Sequence, residues 1–203
     1  SRPSIDFYAN FLVKKSDLLL TSLPTEATQI NDYKLIGWSY IGESYFYKNQ
    51  IDSALFIMKE CVSLSKTNNN LETLASNLNN LSYIYQILGN DSLAFEYIQA
   101  SIPVKKQIPN NAKSLSTSYN NLGNILEKRG EYSPAFKNYF ISLKIRDSIK
   151  DYKGMGNVLN NIANLYQNTG NSTNALIYFR QSTEARIKAK DSLGLCNNYN
   201  NIG

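Results

Sequence analysis

The chain has 203 residues, 42% of them hydrophobic and 18% charged, enough for one compact domain or a short repeat array with a continuous core, and its formal charge is only +5. It has no histidine and two cysteines, which excludes Cys/His zinc sites, His-centred triads and imidazole acid/base chemistry. No stretch approaches the ~18 apolar residues of a membrane helix, and the compositional excess lies in 27 asparagines and 15 tyrosines.

In chain order, Phe7, Phe11, Leu12, Leu18 and Leu19 predict one helix within 4–23, ahead of Pro24, as a cap or a degenerate half-repeat in the segment 1–34. A first unit (35–74) then places Trp38, Ile41, Gly42 and Tyr45 at helical spacing, breaks at Asn49 and resumes with Ala54. The second (75–115) repeats this with Leu78, Leu81, Ser82, Tyr85, Gly89 and Ala94, and Pro103 is expected to kink its second helix or end it early. The third (116–155) uses Tyr119, Leu122, Gly123, Leu126, Gly130, Ala135, Tyr139 and Ser142. The fourth (156–195) uses Leu159, Ile162, Ala163, Tyr166, Gly170, Ala175, Phe179 and Ser182. Residues 196–203 reopen the pattern as the start of a fifth repeat, so the natural protein is expected to continue.

Two markers keep one register. Asn79-Asn80-Leu81 recurs at Asn120, Asn160 and Asn200 with spacings of 41, 40 and 40, while Ala54, Ala94, Ala135 and Ala175 are 40, 41 and 40 apart. The apolar stripe within a unit has a helical period. Gly89, Gly130, Gly170 and Asn49 suit the left-handed end of a first helix. Asp91 or Ser92, Ser133 before Pro134, and Ser172 read as N-caps of the second. A single helical hairpin cannot bury its own apolar face, so the units must stack.

Trp38-Ile41-Gly42-Tyr45 with Ala54, and Tyr119-Leu122-Gly123 with Gly130, Tyr132 and Ala135, resemble the tetratricopeptide repeat (TPR) pattern over about four-fifths of the chain. Two features depart from that pattern, a period of 40 rather than the usual 34 and the absence of the proline that often ends the second helix; the longer period resembles the 40-residue subclass of kinesin light chains and bacterial TPR-containing sensors and regulators. The resemblance implies an all-α fold, a right-handed α-α superhelix of stacked hairpins. It implies also that ligands lie on the inner face formed by the first helices.

On that face the residues not used for packing are Asn79, Asn80, Tyr83, Asn120, Asn121, Asn124, Asn157, Asn160, Asn161, Asn164, Asn197, Asn200 and Asn201. An asparagine amide both donates and accepts, so such a ladder can pair with the backbone of an extended peptide, or with itself between adjacent helices. Tyr40, Phe46 and Tyr47 are candidate aromatic anchors or packing residues, with Trp38 and Tyr45 assigned to the core. Lys144, Arg146, Arg180, Arg186 and Lys188 fall on second helices and read as solvated, and Cys61 and Cys196 as unpaired core residues. Glu43 and Glu127 are isolated acids rather than a catalytic pair.

The reading is therefore a non-catalytic peptide- or protein-binding array without cofactor or metal, in a longer bacterial signalling or transcription-regulatory protein. Its partner is an extended peptide or protein segment in the groove, with a homodimer as a further expectation. Nucleic acid and membrane are not expected as partners. The alternative is an assembly scaffold using convex or end surfaces, with a helical-repeat nucleic-acid binder as a distant third, and the compartment is periplasmic for a sensor ectodomain or else cytoplasmic.

Overall fold

A computed structural model of the chain describes residues 5–22 and 27–202, which are almost wholly α-helical with no strand among them. The elements are α1 (Ile5–Ser22), α2 (Ala27–Tyr47), α3 (Ile51–Thr67), α4 (Leu71–Ile87), α5 (Asp91–Gln107), α6 (Ala112–Lys128), α7 (Tyr132–Ser148), α8 (Tyr152–Asn168), α9 (Ser172–Lys188) and α10 (Ser192–Ile202). The region around Pro24 lies outside the described residues. The chain divides into unit 1 (Ser1–Ile108) and unit 2 (Pro109–Gly203). Within each, consecutive helices pack as hairpins and each first helix also touches the next first helix, α2 on α4, α6 on α8 and α8 on α10. The fold class is an all-α helical repeat array.

The period has a simple origin. Helices α3 to α9 each have 17 residues, and a three-residue link follows each except α5. Every link contains one left-handed residue: Asn49, Asn69, Gly89, Asn110, Gly130, Lys150, Gly170 and Lys190, with φ between 54° and 79°. Half a repeat is therefore a helix plus a link. The link after α5, Ile108–Asn111, is one residue longer, which accounts for each spacing of 41 that crosses it. Pro103 does not end α5 early: the helix runs through it to Gln107.

The expected caps shift by a residue or two. The helices start at Asp91, Tyr132 and Ser172, so the N-caps are Asn90, Glu131 and Asn171. Asn90 Oδ1 accepts from the Leu93 amide and Asn171 Oδ1 from the Asn174 amide, the first-turn donors that a helix cannot satisfy itself. Pro134 still sits in a first turn, where its missing N–H costs nothing.

The core consists of the expected stripes. Ala54, Ala94, Ala135 and Ala175 are buried, with Leu81, Ile84, Ile98, Ile125, Tyr139, Ile162, Leu165 and Phe179 around them. Each fully buried large side chain contributes about 1.5–3 kcal/mol. Hairpins close tightly where small residues meet: Ser101, Ser142 and Ser182 donate to the carbonyls of Ala75, Ser116 and Gly156 in the partner helix. A Cβ on Gly123 would lie 2.5 Å from the Tyr139 ring, so glycine is required there. Cys61 is buried as expected; Cys196 is exposed, on the short helix α10 with little packed over it, which corrects its assignment to the core.

Candidate functional site

In unit 2 the first-helix face is an amide network. Asn161 Nδ2 on α8 donates to Asn120 Oδ1 (2.9 Å) and Asn124 Oδ1 (3.2 Å) on α6. One repeat later Asn201 Nδ2 donates to Asn160 Oδ1 at 2.9 Å. Asn168 donates to Glu127 at 2.9 Å. Tyr139 is buried on the second helix α7, yet its hydroxyl emerges on this face, donating to Glu127 Oε2 at 2.7 Å and lying 2.8 Å from the Asn124 amide. Burial and the Glu127 carboxylate push the Tyr139 phenol well above its ordinary range, so it remains a donor. Asn121 and Asn164 are half-buried beside the network, with no side-chain hydrogen bond of their own among the described residues. Asn157 is exposed and accepts from Arg186 at 3.0 Å. The side chains of Asn197 and Asn200 lie outside those described.

Unit 1 follows the same rule with different residues. Asn80 Nδ2 on α4 donates to Glu43 Oε1 on α2 at 2.8 Å, the offset of 37 positions that also joins Asn161 to Asn124. Asn77 donates to Ser39 and Asn70 to Asp32. Asn79 lies 3.4 Å from Lys105 Nζ. The aromatic candidates do come together: Phe46 meets Tyr83 edge-on at 5.8 Å and Tyr47 at 5.7 Å. Tyr40 is exposed on the same helix stripe, three residues before Glu43.

Two arginines depart from expectation. Arg146 and Arg186 are buried rather than solvated. Each ends a second helix and pairs with the N-cap position of the following first helix, Arg146 Nη1 with Asp151 at 2.5 Å and Arg186 Nη1 with Asp191 at 2.8 Å. A second guanidinium nitrogen reaches Thr117 or Asn157. Gly154 and Gly194 lie against these guanidinium groups with no room for a Cβ. At the same register in unit 1 stands Lys105, also buried, whose pKa falls to about 8 by desolvation. The signal that could have found the arginines is the Arg-to-Asp spacing of five, repeated 40 residues on.

On the second-helix side, a cleft of about 610 Å³ opens between α7 and α9, with Phe140, Leu143, Met155, Leu159, Lys144 and Lys188 among its lining residues. A related cleft of about 640 Å³ lies in unit 1 between α3 and α5, over Leu78 and Leu81. Among the described residues there is no His/Cys/Asp/Glu group that could hold a metal ion, and no helix long and apolar enough to cross a membrane.

Residues 156–186, which include the Asn160-Asn161-Ile162 marker, match the tetratricopeptide repeat family. The chain carries the TPR fold. Solved structures agree across its length: BtubC (BKLC) from P. vanneervenii superposes with a TM-score of 0.78 at 14% identity, over 97% of this chain and 80% of that one. Aspartyl phosphate phosphatase F from Bacillus subtilis gives 0.76 at 17% identity, over 92% of this chain but only 49% of the phosphatase. A putative kinesin light chain from Podosopora anserina with TPR-like repeats gives 0.63 at 14% identity, over 92% and 99%. No curated protein matches the sequence. In TPR terms α2, α4, α6, α8 and α10 are the first helices, and the asparagines occupy the face they share within each unit.

Proposed function

We propose that this TPR array binds an extended peptide or protein segment along its first-helix faces without catalysing a reaction, as the interaction part of a longer bacterial signalling or regulatory protein. The observation that carries the reading is the division of labour among the asparagines. Asn120, Asn124 and Asn161 satisfy one another across helices and stiffen the face, while Asn121 and Asn164 flank them with unused donors and acceptors. A rigid amide surface with open hydrogen-bonding positions suits a peptide backbone, and each net bond contributes roughly 0.5–1.5 kcal/mol. Ordering a flexible peptide opposes the sum, so affinity should be on the order of micromolar.

The test separates the two roles. Asn121→Ala with Asn164→Ala should weaken binding of a peptide library about tenfold, by isothermal titration, with an unchanged melting temperature. Asn161→Ala should lower the melting temperature as well. Unchanged peptide affinity in the double variant rejects the reading.

A second reading, assembly through the second-helix surfaces, is favoured by the clefts between α3 and α5 and between α7 and α9. It requires concentration-dependent light scattering that Phe140→Ser abolishes and the Asn121/Asn164 variants leave intact.

A further inference from the structure

The first-helix face of unit 1 departs from the amide pattern in α2, where three aromatic residues and one carboxylate stand at positions that are mostly amides in later repeats. Position by position in the repeat, Tyr40 stands where later repeats have Asn80, Asn121 and Asn161. Glu43 stands where they have Tyr83, Asn124 and Asn164, and Phe46 where they have Gln86, Glu127 and Gln167. Tyr47 aligns with Ile87, Lys128 and Asn168. Packing does not require these rings. Tyr40 is 46% exposed, Tyr83 53% and Tyr47 79%.

The aromatic residues share a helix stripe with a carboxylate. Tyr40, Glu43 and Tyr47 follow one another at i, i+3 and i+7 on a single stripe of α2, with Phe46 beside them and Tyr83 brought against Phe46 from α4. Glu43 is oriented by the Asn80 amide on Oε1 and forms no ion pair among the described residues. A neutral amide fixes the carboxylate without cancelling its charge, so Oε2 keeps full acceptor strength. The wider field does not oppose a cation, because unit 1 holds nine Lys and Arg against ten Asp and Glu, whereas unit 2 holds twelve against six.

We propose that this cluster is a subsite for a cationic side chain, an arginine by preference, on the segment that binds the first-helix face. The inference rests on the peptide-binding reading above and adds the chemistry that would be selected. A guanidinium can lie over the tyrosine faces while donating to Glu43, and its planar fork is suited to both contacts at once. The free carboxylate separates this face from that of unit 2, where the same positions carry amides, Lys128 and Glu127, whose two oxygens already accept from Tyr139 and Asn168.

The experiment uses the full chain and two fluorescein-labelled twelve-residue peptides of alternating Ala and Ser. One has a central arginine, the other its neutral isostere citrulline. Fluorescence anisotropy should show the arginine peptide binding about fivefold tighter at low salt, and the preference shrinking as salt rises. Glu43→Gln should erase the preference while changing citrulline-peptide affinity far less, because glutamine still offers Oε1 to Asn80 and remains an acceptor for a neutral ureido group. Tyr47→Leu should reduce the preference, with helicity and melting temperature as the check on folding. Equal affinity for the two peptides, or a preference that Glu43→Gln leaves intact, overturns the subsite and leaves the peptide-binding reading standing. Failure of both peptides to bind removes that reading, and the subsite with it.

Discussion

One register of the repeat carries three kinds of side chain at four positions: Ser65, Lys105, Arg146 and Arg186, all buried. Five residues on, the arginines meet Asp151 and Asp191, which also serve as helix N-caps. After Lys105 the aligned residue is Asn111, so no carboxylate is supplied from that position. Desolvation accordingly lowers the Lys105 pKa from 10.5 to about 8. A lysine whose pKa is lower folded than unfolded penalises the fold wherever both states are protonated. Between pH 8 and 10.5 the unfolded chain binds more protons, so stability rises with pH across that window. Urea unfolding at pH 8 and 9.5 should show the native chain gaining about 2 kcal/mol relative to Lys105→Met, which has no charge to lose. Identical pH dependence in the two proteins would mean that Lys105 is not held charged in an apolar site. The spacing of a second-helix cation taken alone does not show this, because it is the same whether the side chain snorkels outward or folds inward; the aspartate five residues on, repeated after 40, marks the inward fold. The glycines gave the hint: Gly154 and Gly194 are spaced like the arginines and leave the space the guanidinium groups fill.

At the scale of the element, the helices were legible and their ends less so. Apolar stripes set by Ala94, Ile98 and Ile102, or by Leu159, Ile162 and Ala163, fix a face wherever the period of 3.6 is kept, and those residues are buried. The caps were misplaced by a residue or two because Asn90 and Asn171 cap as well as the Asp and Ser residues that follow them. The links after the second helices gave no glycine signal, since their left-handed positions are Asn69, Asn110, Lys150 and Lys190. Asparagine tolerates that conformation; lysine meets a Cβ clash of about 1 kcal/mol or more. Lys150→Gly and Lys190→Gly should therefore each stabilise unit 2 by about 0.5–1 kcal/mol after the entropy that glycine adds to the unfolded chain. Thermal melts should rise by roughly 1–4 °C per substitution. The same change at Gly130 in reverse, to Ala, should lower the melt by a similar amount, because its φ of 75° is equally left-handed. A fall on Lys190→Gly would show that the lysine contributes something other than strain.

For the whole molecule, the repeat was readable because every unit solves the same packing problem, whereas asparagine does not by itself mark a face, since Asn77 is fully buried and donates to Ser39. What stayed open was the partner of each amide. Asn161 pairs with Asn120 and Asn124 of the preceding first helix, and that choice depends on helix-to-helix distance, which no one-dimensional register contains. The same nearest-neighbour logic governs stability. Among the described residues of each unit, the main contacts join a helix to its neighbours in the chain and each first helix to the next first helix, so stability approximates a sum of local terms. Arg146→Met strips Asp151 of its buried partner, and the two side chains are 9% and 16% exposed. Loss of one member of such a pair should cost about 2–3 kcal/mol, near the lower end for buried pairs. In a globular core that loss would spread through every amide. Here, hydrogen exchange should show lost protection in α6 to α9, with protection in α3 and α4 nearly unchanged, because Arg146 bonds to Thr117 and Asp151 within unit 2. Uniform loss of protection along the chain would show that the two units unfold as one.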